Sequence, residues 1–180
     1  MSLPRQGLRP LASALLCAGL LGLAGPAGAG LILVNTLADN GTSGNCELRE
    51  AIALANFGGI QDACVDANPL DPDEIRFSVN GNIALNGNPL DIDGDLTITG
   101  PGAGLLSLDA QNNSRVFNIV YSTVTLSGMT LENGNSTDSG GAIHFDGDAD
   151  DDLTLRDMRV RNSYAQYDGG GLHVYSARNV

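Results

Sequence analysis

Few side chains in this chain have the types and spacing to do chemistry. Its two histidines, His144 and His173, stand in matching contexts, AIHF and GLHV, 29 positions apart. Alternation along a short strand puts Ile143 and Phe145 on one face and His144 on the other, and LHV repeats the arrangement for His173. The two imidazoles are expected to stack on one exposed sheet, about a strand apart, where such a pair contacts a metal or a sugar. A metal site needs further ligands, and none stands at an evident spacing. His144 and His173 are therefore carried forward as surface-contact residues, with no metal assigned.

Two acidic turns invite a calcium reading, because hard cations take several carboxylate oxygens. They are DIDGD at 91–95 and DGDADDD at 146–152. Asp146, Asp148 and Asp150 have the 1, 3, 5 spacing of an EF-hand loop. Asp151 occupies the place of its glycine, however, and Asp157 the place of its bidentate glutamate, so that match fails. Glycoside hydrolysis needs two facing carboxylates. Asp150 and Asp151 are adjacent, and adjacency in a turn points side chains apart. Ser-His-Asp sets, phosphate loops and dinucleotide fingerprints are not visible, so no catalytic and no cofactor-binding residue is assigned.

The elements that must position these residues form a repeat. VTLSGMTLENG at 124–134 aligns with LTLRDMRVRNS at 153–163, and GGAIHF at 140–145 with GGGLHV at 169–174, at one offset of 29. A fainter copy, LTITG at 96–100, lies 28 positions before VTLSG. A fixed period of this length signals stacked units. Short strands separated by NGN, NGNP, DIDGD and TGPGAG, about three per period, describe a parallel β-helix coil. In such a stack Leu126 lies beside Leu155 and Ile143 beside Leu172. Asn133 and Asn162 fall at a tight turn where Asn tolerates the left-handed region.

Composition agrees. Of 180 residues 24 are Gly and 4% are aromatic, with no Trp. That suits short strands and many turns rather than packed helices. All nine basic residues are Arg, and the formal charge is −12. Such a field repels phosphate backbones and argues against a nucleic-acid partner.

Residues 1–29 read as a signal peptide: Arg5 and Arg9, an apolar run at 11–24, then Ala27-Gly28-Ala29. Its removal makes the chain two charges more negative. The apolar run is short for a membrane span, and Leu16 before Cys17 does not suit a lipobox. No later stretch is apolar enough to span, so a secreted or cell-surface address is expected, at the outer membrane in a Gram-negative envelope. Cys46 and Cys64 then remain, and in an exported chain they most simply form one disulfide. A zinc or redox pair would need more ligands or a CxxC spacing. CELREAIALAN at 46–56 is the one credible helix. At this length it needs an apolar surface to lie on, as a solenoid end offers.

That stretch resembles the CSLREA motif found just after the signal peptide of many bacterial β-helix proteins. The match is carried by Cys46, Leu48, Arg49, Glu50, Ala51 and Ile52, with Glu47 in place of the motif's Ser. The glycine-rich GGAI and GGGL segments are similar to repeats of chlamydial polymorphic outer-membrane proteins and other autotransporter passengers. The companion Phe-x-x-Asn motif is replaced by MTLEN and MRVRN, which makes this a kinship of fold. The resemblance implies a right-handed hand for the stack.

The expected architecture is all-β: a right-handed single-stranded parallel β-helix of about four coils at 75–180, behind a helix-bearing N-terminal cap at 30–74. Counting one period on from Leu153 places the next coil near residue 182, so a longer chain is expected. The expected function is non-catalytic adhesion or contact with a polysaccharide or a cell surface by a monomeric rod. The alternative is the N-terminal part of a polysaccharide lyase or glycosidase whose catalytic coils lie beyond Val180.

Overall fold

The computed structural model describes residues 30–41, 44–59, 61–68 and 73–180. The signal peptide expected at 1–29 lies outside them. The described residues form parallel sheets and one short helix. In order they are β1 (Gly30–Val34), α1 (Leu48–Phe57), β2 (Asp73–Phe77), β3 (Gly81–Ala84), β4 (Leu90–Ile92), β5 (Leu96–Thr99), β6 (Leu106–Asp109) and β7 (Phe117–Val120). There follow β8 (Val124–Ser127), β9 (Thr130–Glu132), β10 (Asn135–Ser136), β11 (Ile143–Asp146), β12 (Leu153–Arg156), β13 (Arg159–Arg161), β14 (Tyr164–Ala165) and β15 (Leu172–Val174).

The chain visits three larger sheets in rotation. One has the order β1-β2-β5-β8-β12, the second β3-β6-β9-β13 and the third β4-β7-β11-β15, while β10 and β14 form a small fourth. Every strand pairing in them is parallel. The expected neighbours meet: Leu126 pairs with Leu155, Ile143 with Leu172, and Val124 with both Leu96 and Leu153. The spacing of 29 holds across the last two passes, as in the Arg161 to Glu132 contact. It contracts upstream, where Asp73 pairs with Leu96 and Ser107 with Thr130.

Strict alternation explains why register holds. Slipping one residue would turn every inner side chain outward. Ile32, Ile75, Ile98 and Leu126 form one inner column, and Ile92, Ile119 and Phe145 another, all fully buried. Each such side chain contributes roughly 1.5–3 kcal/mol, more than the net worth of one backbone hydrogen bond, about 1 kcal/mol. Burial therefore selects the register, and the ladder hydrogen bonds fill in.

The glycine pair of the repeated GGAI and GGGL segments has a steric cause. Gly140 and Gly169 take φ of 74° and 66°, the left-handed region that suits residues without a Cβ. A Cβ on Gly141 would lie 2.2 Å from the Gly170 carbonyl oxygen. Asn133 and Asn162 have φ of 54° and 53°, as their turn position predicts. The Asn133 amide Nδ2 donates to Asp109 Oδ1 at 2.8 Å.

Helix α1 spans Leu48–Phe57 rather than 46–56. Cys46 is excluded because its N–H donates to Asn35 Oδ1 at 2.9 Å and its sulfur is bonded to Cys64. Glu47 is an extended N-cap, and its own N–H donates to Glu50 Oε2 at 3.1 Å. Leu48, Ala51, Ile52 and Leu54 form the buried face, laid against β1, β2 and β4.

The Cys46–Cys64 disulfide closes the expected loop with a separation of 18 residues. Replacing both cysteines with Ser should lower unfolding stability by roughly 3 kcal/mol by the loop-entropy account. Denaturant unfolding of the variant against the oxidised parent measures this. Equal midpoints would contradict a stabilising role.

Candidate functional site

The third sheet, β4-β7-β11-β15, carries on its outer face the residues singled out for chemistry. Its register aligns Asp91, Asn118, His144 and His173, one from each strand. Because strands repeat every ~4.8 Å, these four planar polar side chains make a ladder across the strands. Behind them the inner positions are filled by Leu90, Phe117 and Ile143 on one side and by Ile92, Ile119 and Phe145 on the other, all buried. A rigid apolar wall thus fixes where each polar group stands.

The two imidazoles stack with centroids 5.2 Å apart and planes within 12°. Each Nδ1 is buried with no hydrogen-bond partner. An orphaned N–H costs more than an orphaned lone pair. The neutral rings therefore favour the tautomer with the proton on Nε2, the nitrogen not left orphaned in the stack.

The ladder is tied laterally. Asn118 Nδ2 donates to Asp91 Oδ1 at 3.0 Å. Half-buried Arg115 reaches Asn118 Oδ1 at 3.3 Å and Ser136 Oγ at 2.9 Å. Burial lowers the Arg115 pKa, opposed by the charges of Asp138 and Asp91. The His144 pKa is lowered first by burial, then by the positive charges of Arg115 and His173, with Asp146 and Asp138 opposing. Neither Asn118 nor Arg115 was singled out in the sequence. Asn118 is invisible to the 29-residue offset because β7 precedes β11 by a shorter step.

The acidic turns are occupied by local hydrogen bonds. Asp148 Oδ1 accepts the Asp150 N–H at 3.0 Å, and Asp151 Oδ2 accepts the Asp148 N–H at 2.9 Å. Asp95 Oδ1 accepts the Thr123 N–H at 2.7 Å. Among the described residues no group of three or more His, Cys, Asp or Glu is placed to hold a metal ion. Among the same residues, no helix is long and apolar enough to cross a membrane.

At its β4 end the ladder meets helix α1. Here a groove of about 360 Å³ is lined by Arg49, Ile52, Asn56, Phe57, Leu90, Asp91 and Asp93, among others. Asn56 clips the two elements together: its Nδ2 donates to the Asp91 carbonyl at 2.9 Å and its Oδ1 accepts the Asp93 N–H at 3.1 Å. The groove has no local signal in the sequence, because α1 and β4 are separated by more than thirty residues.

No family model, curated protein or solved structure matches this chain.

The depressed His144 pKa has a defined consequence for stability. Below about pH 6.5 the unfolded chain binds a proton at this position that the folded chain resists. The contribution of His144 is thus present in full above that pH and is lost as pH falls toward the lower folded-state value. A His144→Gln variant should show a flatter fall in unfolding stability as pH drops below about 6.5. Urea titrations at a series of pH values read this, and identical profiles would contradict it.

Proposed function

We propose that this chain is an exported, non-catalytic, right-handed parallel β-helix with a CSLREA-type cap, serving as a surface-contact or adhesion module for linear glycans. The rotation of the chain through three parallel sheets supports the coil reading. The near-invariable right hand of parallel crossovers supports its handedness. The Cys46–Cys64 disulfide fits an oxidising compartment. The burial of Leu48, Ala51 and Ile52 supports a capping role for the CSLREA-like residues.

The observation that carries the glycan reading is the Asp91-Asn118-His144-His173 ladder. An extended polysaccharide lying along the stack meets one polar group per strand, at an interval close to the length of one sugar ring. Nε2 donors and Asn and Asp acceptors pair with hydroxyls and ring oxygens. Their placement on a rigid wall keeps the ordering cost of binding small. A large negative net charge also disfavours phosphate-rich partners.

Glycan-array screening of the exported chain should give binding to linear oligosaccharides. A His144→Ala/His173→Ala double variant with unchanged melting should lose roughly tenfold or more in affinity, the equivalent of one or two lost hydrogen bonds. Absence of all glycan binding by the parent chain would refute the reading.

A further inference from the structure

The groove between α1 and β4 combines three features. Phe57, the last residue of the helix, is 74% exposed yet lines the groove beside Ile52 and Leu90. A large apolar ring this exposed, next to the Asn56 clip, is a flat platform, not a core residue. Facing it are the exposed carboxylates of Asp91 and Asp93. Asp91 Oδ1 is taken by Asn118, which leaves Oδ2 as an acceptor.

Charge decides what the groove takes. Arg49 lines it, but its guanidinium is already committed. Nε and Nη2 donate to Asp39 at 2.8 and 2.7 Å, and Nη1 and Nη2 donate to the Pro89 and Asn88 carbonyls at 2.6 and 3.1 Å. No free cation is left among the lining residues to meet an anion, whereas two carboxylates repel one. Ionised carboxylates do make strong hydrogen bonds with hydroxyls, and an aromatic face packs against the C–H face of a ring. The volume lies within the range of small-molecule sites.

We propose that this groove is a binding subsite for an uncharged sugar ring, with Phe57 as the platform and Asp91 and Asp93 as hydroxyl acceptors. The inference rests on the glycan reading above and names the ligand class and a place for it at one end of the ladder. A polysaccharide whose terminal ring sits on Phe57 can continue along Asp91 and Asn118 toward His144.

The experiment is an NMR titration of the isotope-labelled chain with neutral tetrasaccharides (cellotetraose, maltotetraose and mannotetraose) and, separately, with tetragalacturonate. A neutral tetrasaccharide should shift the amides of Asn56, Phe57, Asp91 and Asp93. Phe57→Ala and Asp93→Asn should each weaken its binding roughly tenfold, while Phe57→Tyr should retain it, with melting temperature read for every variant. Shifts confined to His144 and His173, with Phe57→Ala binding as the parent does, would overturn the subsite and leave the glycan reading standing. Binding of tetragalacturonate alone would overturn the choice of an uncharged ring. Binding of no saccharide would overturn both.

Discussion

The structure depends on how helix α1 is fastened to the sheets. Stacked parallel strands expose an apolar cross-section at an end unless something covers it. Here α1 lies against β1, β2 and β4, and beside the Asn56 clip its main tie is one guanidinium. Arg49 forks onto Asp39, whose side chain is only 3% exposed, and places two further N–H donors on the carbonyls of Asn88 and Pro89 just before β4. Asp39 in turn accepts the Asn86 N–H at 2.9 Å. One ion pair thereby joins the segment after β1, the helix and the turn leading into the third sheet. Lysine could not replace it, because a point charge lacks the planar fork.

The neighbouring residues serve the same end. Cys46 anchors the entry to the helix through the disulfide, and Glu50 reaches back to the Glu47 N–H. Glu47 accepts the Asn40 and Gly41 N–H groups at 2.9 and 3.0 Å. Leu48, Ala51 and Ile52 supply the buried face. Hydrogen bonds and burial account for where these side chains stand. What they position is the α1 to β4 junction, and with it the start of the polar ladder.

Much of this was legible in the residues because stacking repeats itself. The offset of 29 correctly paired Leu126 with Leu155 and His144 with His173, since equal loop lengths in the last two passes preserve register. Asn133 and Asn162 advertised their turn by residue type. The earlier passes were faint because their connections are shorter, so Asp91 and Asn118 could not be assigned to the histidine column. The two-residue strands β10 and β14 carry too little alternation to be read. The partner of Arg49 and the groove at Phe57 depend on contacts across long stretches of chain, which no local pattern encodes.

The Arg49 to Asp39 pair makes helix α1 and the sheets one cooperative unit. The direct measurement is hydrogen exchange with denaturant unfolding of an Arg49→Met variant, which keeps most of the side-chain volume and leaves Asp39 buried without its partner. The expected result is a loss of about 3 kcal/mol or more, with protection falling together at Ile52 in the helix and at Ile92 and Ile119 in the third sheet. Protection lost in the helix alone, with the sheet amides as slow as in the parent chain, would contradict it.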